Sequence, residues 1–278
     1  MMSMNKTVEL PSRLSYGAHV HANGIRQHYL RYAGPGPALV LEPGITSPAP
    51  TWGFVAERLA LHFDVYVLDV RGRGLSQSGA DLDYGVNACA DDLCEFVREL
   101  ALESPIYVGH SMGARILLRA ASRGLPKGAA MVLVDPPVSG PGRRPYPANI
   151  AWYTDSIAQA KQGMSAEQMR QFCPTWTPEQ LALRAQWLHT CDVRAVTDSY
   201  EWFHTDDAFP DFSQLNDWKV ALMVAGKGDV IRDEDIKEAQ SLKPDLQVLG
   251  VPGAGHMIPW DDEEGFYRAL GTFLGLTF

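Results

Sequence analysis

Six short runs decide the architecture of this chain before anything else does. They are "ALVLE" (38–42), "VYVLDV" (65–70), "IYVG" (106–109), "AMVLVD" (130–135), "ALMVAG" (221–226) and "LQVLGV" (246–251), each apolar on both faces. A strand with one wet face alternates apolar with polar residues, so a strand apolar on both sides must be covered on both sides. Between the runs lie "TWGFVAERLALH", "VNACADDLCEFVRELAL", "MGARILLRAASRG", "DEDIKEAQSLK" and "DEEGFYRALGTFL", whose apolar residues recur at helical spacings of three and four. The clearest stripe carries Ala88, Leu93, Phe96, Val97 and Leu100. Buried strands alternating with helices predict a mostly parallel central sheet with helices on both faces, an α/β fold. Ahead of them, "HVHANGIRQHYLRYA" reads as a hairpin turning at Asn23-Gly24.

The alternation breaks once. From Pro137 to about Asp217 no strand-like run occurs, and "PPVSGPGRRPYP" opens a stretch rich in Trp, Gln and Ala. This predicts a helical cap over residues 137–217, set into a core formed by 1–136 and 218–278. An insertion after a parallel strand's C-terminal end overlies the crevice where open α/β sheets bind ligands.

Charge and targeting narrow the partners. A net charge of -9 argues against nucleic acid and against an anionic membrane surface, but not against a small anion met by local arginines. "MMSMNKTVELPSRLS" lacks the apolar core of a secretory signal, and no uninterrupted apolar stretch approaches a membrane span. Cys89, Cys94, Cys173 and Cys191 form no metal-ligand spacing and read as free thiols of a cytoplasmic protein.

The chemistry centres on "VGHSMGA" (108–114), a Gly-x-Ser-x-Gly at a strand-to-helix turn. Such a turn exposes Ser111 Oγ at a helix N-terminus, where free N–H groups favour developing negative charge. The bland alternative is a serine that merely caps the helix. His256 in "VPGAGHMIPWDD", between the last strand and the last helix, is the candidate base. His110 is assigned to packing, because its side chain should point away from that of Ser111. His19, His21, His28 and His62 are expected to be solvated, and His189 and His204 lie in the cap. Two acids compete: Asp229 in "MVAGKGDVI" and Asp135 at the end of "MVLVD". Backbone N–H groups of Met112 and of Ile45, in "LEPGITS", are the candidate oxyanion donors. Asp69, Arg71 and Arg73 in "LDVRGRGLS" are expected to pair with one another and shape a third loop. The short "GRG" there is too little for a dinucleotide site.

Taken together, "NGIRQHYLRY", "PGITSPAPTWGFVAERL", "YVLDVRGRGLS", "GHSMGAR" and "GAGH" resemble the α/β-hydrolase superfamily. Within it the chain resembles the N-formylmaleamate deformylases of nicotinate degradation and their neighbours, the 2-(acetamidomethylene)succinate hydrolases of vitamin B6 degradation. The resemblance implies the α/β-hydrolase fold and a Ser111, His256 and Asp135 triad, Asp135 being preferred over Asp229. It implies a linear amide substrate that is small, N-acylated and carboxylate-bearing, and it implies no metal and no organic cofactor. Arg115, Arg184 and Arg194, with the Thr46 and Ser47 hydroxyls, are then the candidates to meet the carboxylate. Ser at position 111, rather than Asp, argues against dehalogenase and epoxide hydrolase chemistry. An esterase, a carbon–carbon bond hydrolase, or a non-catalytic receptor on the same scaffold are the alternatives.

Overall fold

The computed structural model describes residues 12–278. The secretory-signal reading of residues 1–15 falls almost wholly outside that range. Eight strands form one sheet: β1 (Leu14–Ala22), β2 (Ile25–Tyr32), β3 (Ala38–Glu42), β4 (Asp64–Leu68), β5 (Ile106–His110), β6 (Ala130–Val134), β7 (Val220–Ala225) and β8 (Gln247–Val251). Their order across the sheet is β1-β2-β4-β3-β5-β6-β7-β8. β2 runs against both its neighbours, and the remaining pairs are parallel.

The doubly apolar runs behave as their composition requires. β5 and β6 bury every residue, and β3 and β4 all but the first. β8 departs from the expectation: Gln247, Val248 and Gly250 are exposed. It pairs only with β7 at the sheet margin, so its "LQVLGV" run is half covered. At the other margin the β1–β2 turn places Asn23 at φ 48° and Gly24 at φ 73°, the two left-handed residues that a tight hairpin needs.

Helices connect the parallel strands: α1 (Gly53–Leu59), α2 (Val86–Glu99) and α3 (Met112–Ser122) in the first half. Between β6 and β7 the chain forms α4 (Ile150–Lys161), α5 (Ala166–Met169), α6 (Pro178–Trp187), α7 (Val193–Thr205) and α8 (Phe209–Phe212), with no strand. Then come α9 (Asp233–Leu242), α10 (Ile258–Asp261) and α11 (Glu263–Leu274). No described helix is long and apolar enough to cross a membrane. All four cysteines are free and buried.

One arginine fastens both ends of the helical insertion to the core. Arg115, on α3, donates to Ser139 O at 3.0 Å and Phe203 O at 3.2 Å. Its other nitrogen donates to Asp206 O at 2.6 Å and Asp206 Oδ1 at 3.2 Å. The segments entering and leaving the insertion therefore converge on a single guanidinium. Burial lowers Arg115 to about 10, still cationic at neutral pH. Arg119, one turn on, holds Asp206 and Asp211 as well.

Candidate active site

The turn from β5 into α3 bends as sharply as its glycines allow. Ser111 sits at φ 53°, ψ −116°, a conformation that costs a non-glycine residue on the order of 1–3 kcal/mol. A β-carbon at Gly113 would lie 2.0 Å from Glu42 O, and one at Gly109 would lie 2.6 Å from Gly113 O. Neither approach tolerates a side chain: glycine at 113 lets β3 come close beneath the turn, and glycine at 109 lets the first turns of α3 pack back on β5.

Three side chains from three loops form one hydrogen-bonded row. Ser111 Oγ is 2.9 Å from His256 Nε2, and His256 Nδ1 is 2.7 Å from Asp135 Oδ2. A carboxylate can only accept, so Nδ1 carries the imidazole proton and Nε2 accepts from Ser111. Asp135 is 1% exposed, at φ 47° just beyond β6, and its Oδ1 accepts from Ala225 N at 3.3 Å. Asp229 lies apart. Its carboxylate is 64% exposed and paired with Arg232 at 2.7 Å, which lowers its pKa.

The backbone N–H groups of Ile45 and Met112 bond no other protein group among the described residues. Gly44 lets this loop reach the turn, since a β-carbon there would meet His110 Nδ1 at 3.1 Å. From behind, Arg73 Nε donates to Ile45 O at 3.0 Å, and its Nη2 lies 3.6 Å from Met112 Sδ. The same Nη2 donates to Ser199 Oγ at 2.8 Å and Ala195 O at 3.0 Å on α7. Arg73 thus braces both candidate donors from the insertion side.

Ser111 and His256 open on a cavity of about 550 Å³, within the range of small-molecule sites. Ile45, Thr46 and Ser47 line it from the core, and Tyr146, Trp152, Trp176 and Arg184 from the insertion. Of the three arginines proposed for a carboxylate, only Arg184 is among the lining residues. Arg115 is consumed by the insertion's backbone carbonyls, as described above. Arg194 is half exposed and turned outward, donating to Ala80 O and to Leu82 O at 2.9 Å. Both therefore depart from the expectation, because carbonyls of nearby loops satisfy them first.

Several other residues also differ from their sequence-based reading. His28 is 3% exposed, 2.6 Å from Asp69 Oδ2, and not solvated. Asp69 accepts from His28 and from the backbone of Ala49 and Leu75, while Arg71 pairs with Asp92 at 2.5 Å. No side-chain ion pair joins the three loop residues, because their charged ends find partners in neighbouring elements; within the loop Arg73 Nη1 donates to Arg71 O at 2.9 Å. His204 receives Tyr146 N at 3.2 Å, a contact within the insertion, whereas His189 is exposed, as expected of an ordinary surface histidine.

His110 does more than pack. Its Nε2–H donates to His256 O at 2.9 Å, which fixes the backbone that carries the imidazole. Burial, with His256 adding to it, lowers its pKa to about 3, so it stays neutral beside His256. Tyr146 had no signal in the sequence beyond its place in a Pro- and Gly-rich stretch. Its ring meets His256 edge-on at 5.9 Å, and burial holds its phenol far above the ordinary range.

A profile of the alpha/beta hydrolase family matches residues 39–269, and the chain belongs to that family. It is a hydrolase. It is 60% identical over 258 residues to the N-formylmaleamate deformylase of Pseudomonas putida, covering 93% of this chain and 96% of that one. A solved structure of the N-formylmaleamic acid deformylase of Pseudomonas putida S16 superposes with a TM-score of 0.88 at 55% identity, over 92% of this chain and 100% of the other. The 2-(acetamidomethylene)succinate hydrolase of Mesorhizobium japonicum is 26% identical over 256 residues, 88% of this chain and 90% of that one.

Proposed function

We propose that this chain hydrolyses the formyl C–N bond of N-formylmaleamate, releasing maleamate and formate, as its relatives' activity in nicotinate degradation suggests. The observation that carries the reading is the Ser111–His256–Asp135 hydrogen-bonded row in a chain 60% identical, over nearly its whole length, to an enzyme of that name. In this reading residues 137–217 cap a core of residues 1–136 and 218–278, and the enzyme works in the cytoplasm on a small anionic amide.

The chemistry follows from the row. His256 Nε2 takes the Ser111 proton as Oγ attacks the formyl carbon. Ile45 and Met112 N–H groups hold the resulting oxyanion, and Asp135 stabilises the imidazolium. His256 then returns the proton to the substrate nitrogen, and the C–N bond breaks. That nitrogen leaves readily because the adjacent maleamate carbonyl shares its charge. Water, deprotonated by His256, attacks the formyl ester, and formate departs as Ser111 recovers its proton. Neither a metal nor an organic cofactor enters these steps.

The test is formate release by the purified protein from N-formylmaleamate, run beside simple carboxylic esters. Rapid formate production with slow ester turnover is expected. Efficient ester hydrolysis without formate production would replace the reading with an esterase.

A further inference from the structure

Arg184 differs from the other buried arginines of the molecule. It is 4% exposed and lines the cavity that Ser111 opens on, yet it has no carboxylate partner among the described residues. Arg71 has Asp92 and Arg115 has Asp206. Arg73 also lacks an acid, but carbonyls and hydroxyls take up its donors. The Arg184 guanidinium packs against two indoles, its Cζ 5.2 Å from the Trp152 centroid and 5.8 Å from that of Trp176. Aromatic faces attract the cation without neutralising its charge.

Its donors are divided. Nη1 donates to Thr46 O at 3.2 Å and Nη2 to Thr46 Oγ1 at 3.0 Å, so the end of the fork grips Thr46. Nε is buried without any partner. The Nε–H and the second Nη2–H form the side edge of the guanidinium, a pair of parallel donors that matches a carboxylate in two-point contact. An unpaired buried cation is costly, and a carboxylate at that edge removes the cost. Thr46 is also the residue after Ile45, whose N–H is the candidate oxyanion donor. Arg73 grips the same loop one peptide earlier, at Ile45 O.

We propose that Arg184 is the receptor for the substrate carboxylate and that, through Thr46, carboxylate binding sets the oxyanion loop. This rests on the reading of the site as a hydrolase of anionic amides. Energy from the non-reacting end of the substrate is thereby realised at the reacting end, so the carboxylate raises kcat and not only affinity. It also accounts for the gripping of Thr46 by the same cation, which simple anion binding does not require.

The test cuts the substrate in two. p-Nitrophenyl acetate, a neutral ester, is hydrolysed by the wild-type protein with increasing propionate, and with propionamide as the uncharged counterpart. Saturable acceleration of several-fold by propionate, none by propionamide, and none by either in Arg184→Gln is expected. On N-formylmaleamate, Arg184→Gln should lower kcat itself on the order of 10²-fold, and Arg184→Lys should lie between the two. The wild-type titration needs no variant, so a folding defect in Arg184→Gln cannot mask the result. Absence of activation by propionate in the wild type, or a rise in KM at unchanged kcat, overturns the coupling. Activation that depends on Arg184 without formate release from N-formylmaleamate would retain the coupling and remove the deformylase reading.

Discussion

At the scale of single residues, the chemistry rests on atoms already within hydrogen-bonding distance. Replacing Ser111 or His256 with Ala should lower kcat at least ~10³-fold with the fold intact, because no other nucleophile and base face each other in the cavity. Formate assays beside circular dichroism check this, and turnover within tenfold of the parent would dismiss the assignment. Asp135→Asn should cost on the order of 10⁴-fold, since an amide can neither hold the imidazole tautomer nor stabilise its cation. Asp229→Asn should change turnover less than about threefold, its carboxylate being exposed and occupied by Arg232. The reverse ranking would move the acid to the loop after β7. Ser111 stood out in the sequence because its Gly-x-Ser-x-Gly follows a buried run at a strand-to-helix turn, and His256 because it lies between the last strand and the last helix, after both candidate acids. The choice between Asp135 and Asp229 turned on resemblance, because both follow strands and only distance to His256 separates them. Arg184 could not be told from Arg115 and Arg194 by pattern. All three are arginines near the cavity in sequence, and it is their local carbonyls that differ.

At the scale of elements, the end of β3 carries an unusual group under the oxyanion loop. Glu42 is fully buried with Oε2 unpartnered, and burial, reinforced by Asp92 and opposed by Arg73, holds its pKa well above the ordinary value. The folded chain therefore keeps a proton that the unfolded chain releases above about pH 4.5, so this residue erodes stability as pH rises past that point. His110 works in the opposite sense. Neutral when folded down to about pH 3 but protonated when unfolded below about pH 6.5, it contributes stability above that value and loses it on acidification. The two slopes oppose each other between about pH 4.5 and 6.5, and above that window only the Glu42 effect continues. Glu42→Gln, which mimics the protonated acid, should match the parent in urea denaturation at pH 4 and exceed it at pH 8. An equal difference at both pH values would show that Glu42 is not held protonated. The strands themselves were legible because burial on both faces forces continuous apolar runs. The exposed face of β8 was not, since an edge strand built from the same residues looks identical until its neighbours are known. His28 was misread for a related reason: its partner Asp69 lies far along the chain.

At the scale of the whole molecule, Arg115 joins the two ends of the insertion to the helix behind the nucleophile, beside the further bridges made by Arg73, Arg119 and Arg184. Arg115→Met should leave buried carbonyls unpaired and lower stability by about 3 kcal/mol. Amide exchange should quicken first at residues 138–139 and 203–206, ahead of the central strands. Unchanged stability and exchange would mean that the contacts of Arg119 with Asp206 and Asp211 suffice. The insertion's existence was readable from the missing strand pattern, but its attachment was not, because a polar clamp leaves no periodic trace. A single side chain holding both roots also has a consequence for the history of such chains. Residues 140–194 can lengthen, shorten or be rewritten while the two ends stay registered on the helix behind the nucleophile and α7 keeps the Ala195 and Ser199 acceptors of Arg73. New substrates are then reached by editing a cassette, and the serine, histidine and aspartate never need to be reinvented.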